Sequence, residues 1–338
     1  MSASPSISVL LPVYNAKRFL IHALESLGGQ TFRDYEVVAV DDGSIDSSGE
    51  ILREASGRWP WLKVISQPNR GVAAALNRGL AECRGEFIAR MDADDIARPT
   101  RLARQVAFLS AHPDVGVCGT YAMTLGERRA RKLRYGVSDQ VLRSRMVFGC
   151  ALAHPTVMMR RSVLEAEPGP YAGRFEDYDL WLRLLRRTKF ACLPEVLLDY
   201  RVHPAQVTAA SWVNQFPEVW RIQSELLRSL GMREADLNPM AHSLCGFLEP
   251  DGNMLSLSSL ETWLTRLTDS VSASGWCESS VFERECRDAW WRAVRRISVT
   301  RRDVWRYWRS PRTRASLRTA WRILRLLRLN ASSEDAKS

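Results

Sequence analysis

The chain has 338 residues, 46% of them hydrophobic, and a formal net charge of +10. It is longer than a typical single domain, so one large domain with an appendage is expected, and its apolar fraction suffices to bury a core. Residues 1–6 lack a basic stretch leading into a signal-peptide core, and no apolar run reaches the length of a membrane span; both observations point to the cytoplasm. Seven cysteines, odd in number and without a C-x-x-C pair, read as buried thiols in a reducing compartment.

Ile7–Val13 is apolar and β-branched, the pattern of a first buried strand. Phe19, Leu20, Ala23, Leu24 and Leu27 then recur at helical spacing, with Gly28 and Gly29 as the stop. Residues 35–40 read as a second strand running into Asp41-Asp42-Gly43-Ser44, so the three elements make a parallel unit. Asp42 thereby falls at the carboxyl edge of a parallel strand, where an acid can accept hydrogen bonds from a nucleotide's base or ribose. A tight Asp-Gly turn accounts for Gly43 and for one aspartate only. Asp46 and Ser47 are suited to cap a helix over 48–56, residues 61–66 form a third strand, and 67–71 turn into a helix over 72–83.

The run Phe87–Met91 reads as a short buried strand ending in Asp92, Asp94 and Asp95, with Pro99 suited to the first turn of the next helix. In extended chain, residues two apart point the same way, so Asp92 and Asp94 converge and repel. A hard divalent cation, Mg2+ or Mn2+, relieves that repulsion. Acids also suit a helix start as dipole partners, but three exceed that need. Val115–Cys118 adds a further strand, and the whole reads as α/β. No G-x-G-x-x-G follows the first strand, which argues against a dinucleotide fold.

Four segments now stand in order: Pro12-Val13-Tyr14-Asn15, Asp41-Asp42-Gly43-Ser44, the stretch from Asn69-Arg70-Gly71 to Asn77-Arg78-Gly79, and Met91-Asp92-Ala93-Asp94-Asp95. As an ordered set over about residues 7 to 205 they resemble the family 2 glycosyltransferases. The resemblance implies a GT-A fold, a mixed, mostly parallel sheet sandwiched by helices, and inverting transfer of a sugar from a nucleotide-sugar donor such as a UDP-sugar. It matches Pro12, Tyr14 and Asn15 to the first donor-binding loop, and Asp42 to the acid that contacts uracil. Asp92 matches the acid near ribose and phosphates, and Asp94 the acid that ligates Mg2+ or Mn2+, with Asp95 as helper. Leu76 departs from the pattern, standing where many members carry an arginine near the phosphates; Arg70 or Arg78 can supply that charge. In Arg174-Phe175-Glu176-Asp177-Tyr178 the resemblance is to the E-D motif, with Asp177 as general base. His203, in Tyr200-Arg201-Val202-His203-Pro204, resembles the histidine that completes metal coordination. His154-Pro155 resembles a recurrent family segment without an assigned role.

Residues 281–330 hold fifteen arginines against Glu283, Glu285, Asp288 and Asp303, a local excess of +11 that leaves the rest of the chain close to neutral. Nine of twelve tryptophans lie beyond Ser211, where helical periodicity takes over. A helix with a capping box at Thr300–Asp303 and a second over 313–329 are expected, the latter with Arg314, Arg318, Arg322 and Arg325 along one face and Leu317, Trp321 and Leu324 along another. Such helices suit an anionic membrane surface, or else pack their apolar face on the catalytic domain. No nucleic-acid module accompanies the arginines. The expected organisation is a catalytic GT-A domain over 1–210, a helical Trp/Arg-rich region over 211–330 and a disordered tail over 331–338. The expected function is transfer to a hydroxyl of a glycan or lipid-linked glycan in cell-surface polysaccharide synthesis, in the cytoplasm or peripherally at the inner membrane face. The competing readings are a nucleotidyltransferase, which lacks here the glycine-rich basic loop it needs after the first strand, and a catalytically silent sugar-nucleotide-binding or scaffold protein.

Overall fold

The computed structural model describes residues 4–203, 215–246 and 255–294. Strand and helix alternate first as β1 (Ile7–Val13), α1 (Leu20–Gly28), β2 (Tyr35–Asp42), α2 (Ser48–Arg58), β3 (Leu62–Gln67), α3 (Val72–Leu80) and β4 (Phe87–Arg90). There follow β5 (Ile96–Ala97), α4 (Arg101–Ala111), β6 (Val115–Leu125), β7 (Lys132–Leu133), α5 (Asp139–Met146), β8 (Met158–Arg160), α6 (Arg161–Glu165), α7 (Glu176–Leu184) and β9 (Lys189–Arg201).

The nine strands among the described residues join one sheet, in the order β3-β2-β1-β4-β8-β6-β9-β5 with β7 beside β6. The first four in that order are mutually parallel, whereas β8 runs antiparallel to both β4 and β6. Every residue of β2 and β4 is buried, which is why these segments read as nearly continuous apolar runs. The chain steps outward from β1 to β2 to β3, then crosses to the far side of β1 to form β4. That reversal leaves a crevice beyond the carboxyl ends of β1, β2 and β4, where open α/β sheets take their ligands.

Two expected elements differ. The helix after the acidic turn begins at Arg101, because Ile96–Ala97 pairs antiparallel with Leu198 and Asp199 of β9 before Pro99. The strand expected over 115–118 runs to Leu125, in a parallel ladder with the 13-residue β9. That ladder slips where Thr120 pairs with Leu193 but Tyr121 with Val196. Pro194 falls inside the slip, and proline has no N–H to give a ladder.

Residues up to 146 with 150–203 form one compact unit; residues 147–149 with 215–246 and 255–294 form a second. The second unit contains α8 (Phe216–Ser229), α9 (Pro239–Cys245), α10 (Leu257–Ser274) and α11 (Ser279–Val294). Its core includes Phe148 stacked on Phe282, and His242 between Trp220 and Trp263. Burial pushes the His242 pKa down to about 4, and the neutral ring donates from Nε2 to the Val147 carbonyl over 3.0 Å. No helix among the described residues is long and apolar enough to cross a membrane. The helices expected near Thr300 and over 313–329 lie outside the described residues. Six cysteines are buried as expected, but Cys150 is exposed.

The close approach of α3 to the sheet depends on Gly79. A Cβ there would stand 2.4 Å from Leu10 Cδ1 and 2.8 Å from Val40 Cγ2. Gly→Ala in a helix ordinarily gains about 1 kcal/mol; overpacking costs about 1–3 kcal/mol. Because the clash is with two buried side chains at under 3 Å, Gly79→Ala is expected to lower the denaturant midpoint, by up to about 2 kcal/mol in stability. A midpoint at or above wild type would show that Leu10 and Val40 yield freely.

Candidate active site

β4 ends at Arg90, and the chain then turns rather than remaining extended, so the acids of 92–95 converge through a turn. One carboxylate oxygen from each of Asp92, Asp94 and Asp95 lies within 4.8 Å of the others. Asp95 is fully buried; its Oδ1 accepts from the Arg201 amide at 2.8 Å, while Oδ2 is buried without a hydrogen-bond partner. Burial, then the charges of Asp92 and Asp94, push its carboxyl well above the usual range. Asp94 is raised by burial and by Asp92, with partial relief from His203.

The end of β9 completes this corner. Arg201 Nε donates to the Asp94 carbonyl at 2.7 Å, and His203 Nε2 lies 2.9 Å from Asp94 Oδ2. The Arg201 guanidinium sits 4.4 Å from the Phe19 ring centroid, and the His203 ring lies 5.1 Å from the same ring. Asp92 takes a different partner, forming an ion pair with Arg90, which is only 4% exposed.

The loops after β1 and β2 hold each other. Asn15, the only non-glycine residue at positive φ among the described residues (+50°), accepts from the Ile45 amide through Oδ1 at 2.9 Å. Its own amide donates to Ser44 Oγ at 3.0 Å, and Ala16 N donates to Ser48 Oγ. Asparagine tolerates this left-handed conformation better than most side chains. Tyr14 is 51% exposed beside these loops, whereas Pro12 forms part of β1. Asp46, rather than Ser47, supplies the contacts at the start of α2, accepting from Ser48 N and Ser48 Oγ.

Asp42 is buried and internally engaged. Its Oδ1 accepts from Gln67 Nε2 (2.7 Å) and Arg70 N (2.9 Å), and its Oδ2 from Gly71 N (2.8 Å). The carboxylate therefore pins the segment that leads into α3 to the end of β2, leaving about one of its four acceptor positions. Leu76 is fully buried, while Arg70 and Arg78 are exposed, the latter pairing with Glu82 at 3.4 Å.

Asp177 lies in the first turn of α7, next to the buried Glu176. Burial raises the Asp177 carboxyl above the usual aspartate range and the Glu176 charge adds to it, against the pull of the Tyr178 amide and Arg90. Cys150 Sγ lies 3.6 Å from Asp177 Oδ2. His154 approaches Glu176 to 3.5 Å, but burial and then Arg90 lower its pKa to about 3, so the ring is neutral and the contact is not an ion pair.

Sequence reasoning missed three contributors. Asn77 grips the backbone of Tyr171, donating to its carbonyl (2.7 Å) and accepting from its amide (3.2 Å), and so fixes the segment before α7 to α3. Arg201 organises the acidic turn. Arg90 was legible only as a charge inside an apolar strand. A hard divalent cation fits the 92–95 turn: the oxygens converge, one of them is buried and unpartnered, and carboxylate with imidazole is a donor set such ions accept.

Residues 8–166 match the profile of Glycosyl transferase family 2. EpsE of Bacillus subtilis is 34% identical over 191 residues, covering 54% of this chain and 68% of that protein. The amylovoran biosynthesis glycosyltransferase AmsE of Erwinia amylovora is 34% identical over 207 residues, covering 57% and 75%. The O-antigen biosynthesis glycosyltransferase WbnJ of Escherichia coli is 30% identical over 208 residues, covering 58% and 80%. Among solved structures, S. aureus TarS 1–349 in complex with UDP-GlcNAc superposes with a TM-score of 0.59 at 20% identity, covering 86% of this chain and 89% of that one. The mannosyltransferase PcManGT of Pyrobaculum calidifontis, solved with GDP-Man and Mn2+, gives 0.53 at 18% identity, covering 87% and 88%. The sheet and its flanking helices are thus the expected GT-A arrangement. The chain belongs to glycosyltransferase family 2, and it is a glycosyltransferase.

Proposed function

We propose that this glycosyltransferase is inverting and metal-dependent, with residues 1–210 as its catalytic body and a UDP-sugar as donor. The observation that carries this reading is the convergence of Asp92, Asp94 and Asp95 at the sheet's carboxyl edge, with His203 Nε2 2.9 Å from Asp94 Oδ2. Asp94 and His203 would hold Mg2+ or Mn2+, with Asp95 behind them and Asp92 toward the ribose and phosphates. When bound, the ion supplies Lewis-acid stabilisation to the departing diphosphate. Pro12, Tyr14 and Asn15 form the first donor loop, and the remaining acceptor position of Asp42 faces the base. Asp177 takes the proton from an acceptor hydroxyl as that oxygen bonds to the anomeric carbon. The bond from that carbon to the diphosphate breaks, and the configuration inverts. The names of TarS and PcManGT, solved with UDP-GlcNAc and with GDP-Man and Mn2+, support donor and metal.

The deciding experiment is hydrolysis of a panel of nucleotide sugars with Mn2+ or with EDTA, for the wild type and Asp94→Ala. Release of nucleoside diphosphate from one donor, abolished by EDTA and by the substitution, is expected. Tight EDTA-insensitive turnover, or no binding to any donor, would overturn the reading.

The raised Asp177 carboxyl must be ionised to accept a proton, so activity is lost as pH falls through its pKa. The acid limb of kcat/KM is therefore expected above the ordinary aspartate value of about 3.9. Asp177→Asn is expected to lower transfer about 100-fold or more while retaining donor binding. A normal rate in that variant would remove Asp177 from the chemistry.

For the acceptor we propose a hydroxyl of a glycan or lipid-linked glycan in cell-surface polysaccharide synthesis, which the names of AmsE and WbnJ support. The arginine excess of 281–330 suits an anionic membrane surface at the cytoplasmic face. The full chain is expected to sediment with vesicles containing phosphatidylglycerol, to release at high salt and to ignore neutral vesicles. Equal recovery in the supernatant from both would end the membrane proposal.

A further inference from the structure

Arg101, the first residue of α4, is fully buried, and burying a charge is costly. Its hydrogen bonds nevertheless go to neutral oxygens. Nη2 donates to the Arg90 carbonyl at 2.6 Å and to the Val157 carbonyl at 3.4 Å, while Nε donates to Gln105 Oε1 at 3.1 Å. Nη1 is buried without a partner, which adds to the cost. Gln105, one turn along α4 and equally buried, extends the network: its Nε2 donates to the Cys118 carbonyl of β6 (2.7 Å) and to the Thr156 carbonyl (3.0 Å). Burial lowers the Arg101 pKa to about 10, so the group stays cationic at neutral pH. Replacing buried ionic groups by apolar residues of similar volume is often neutral or stabilising, so stability alone does not account for this one.

The two backbone segments joined here lead to the two halves of the site. Arg90 is the last residue of β4, and its carbonyl stands two positions before Asp92. Thr156 and Val157 close the turn begun by His154, whose Nδ1 lies 3.5 Å from Oε1 of Glu176, the neighbour of Asp177. The Arg90 amide donates to the Val157 carbonyl at 3.0 Å, at the end of the β4–β8 ladder, and the Arg101 fork braces that end from the side of α4.

We propose that Arg101, with Gln105, is a positioning residue of the transfer site: its guanidinium sets the acidic turn, through the Arg90 carbonyl, against the 154–157 segment that packs on the start of α7. The inference rests on the function proposed above. Arg101 is not a catalytic residue, because it is sealed from solvent and acts through the main chain. A guanidinium presents donors in several directions from one rigid plane, whereas an ammonium is a compact point charge, so the fork matters as well as the charge. The two side chains divide the task. Arg101 reaches the carbonyl of β4, whereas Gln105 holds the 156 side and β6.

The test is Mn2+ titration of the full chain, followed by the electron paramagnetic resonance signal of the free ion, for wild type, Arg101→Lys and Gln105→Met. It is paired with thermal melting and with steady-state hydrolysis of the donor that the panel identifies. Arg101→Lys keeps the charge, so a change in Mn2+ affinity reports the position of the acids. It is expected to weaken Mn2+ binding about fivefold or more and to lower kcat about tenfold or more. Gln105→Met is expected to keep Mn2+ affinity within about twofold and to lower kcat about fivefold or more, because it frees the 156 side while Arg101 still holds β4. Lower melting temperatures in both variants, with wild-type Mn2+ affinity and wild-type kcat, would show a merely structural role and overturn the inference. If Arg101→Lys fails to fold, Gln105→Met decides: a kcat loss at retained affinity supports the inference, and a wild-type kcat overturns it. A wild type that neither binds Mn2+ nor cleaves a donor would instead overturn the function on which the inference rests.

Discussion

A carboxylate taken fully out of water has to be met by N–H groups, and at Asp95 the partner comes from 106 residues farther along the chain. The Arg201 amide on Asp95 and the Arg201 guanidinium on the Asp94 carbonyl hold the acidic turn to the end of β9. Hydrogen bonds to charged groups contribute about 1.5–3 kcal/mol each. The proximity of His203 to Asp94 follows from this tie, because His203 sits two residues beyond Arg201. The two-residue β5 pairs with β9 on the same edge, so both ends of the 92–97 segment are fixed before any ligand arrives. Preorganisation of this kind lets a charged site avoid reorganising as charge develops.

The same economy recurs across the crevice. Asp42 was expected to face a nucleotide, and its carboxylate spends three acceptor positions on Gln67, Arg70 and Gly71. Asn15 spends its side-chain oxygen on Ile45. These residues build the shape of the crevice through hydrogen bonds to loops, while the Tyr14 side chain stays half exposed. Asn77 performs the corresponding service on the other side, fixing the backbone of Tyr171 ahead of α7.

What could be read from the sequence was what depends on short range. The parallel half of the sheet announces itself in continuous apolar runs, and the acids at the end of β4 stand out because carboxylates are rarely clustered at the end of a buried strand. The mixed half, from β8 to β5, was largely illegible. Pro194 breaks the apolar pattern of β9 and produces the register slip against β6, so neither the length of that strand nor its pairing could be counted from periodicity. Arg90 illustrates a different limit. A single arginine inside Phe87–Met91 looks like a tolerated exception until the fold shows it buried and paired with Asp92. The ladder of family motifs located Asp42, Asp94, Asp177 and His203 along the chain, but it carried no information about which of their oxygens the protein uses for itself.

One feature of the chain path bears on the order in which the protein can be assembled during synthesis. Val147–Gly149 belong to the helical unit although the chain on both sides of them belongs to the sheet. The Val147 and Phe148 carbonyls accept from His242 and Gln223, 95 and 75 positions later. As the chain leaves the ribosome the sheet can complete itself well before those partners exist, with Phe148 waiting for its core. Contacts closed over such separations form slowly, and a ribosome-bound intermediate with that aromatic uncovered is the species a chaperone would meet. A truncation after residue 211 would make the interval permanent.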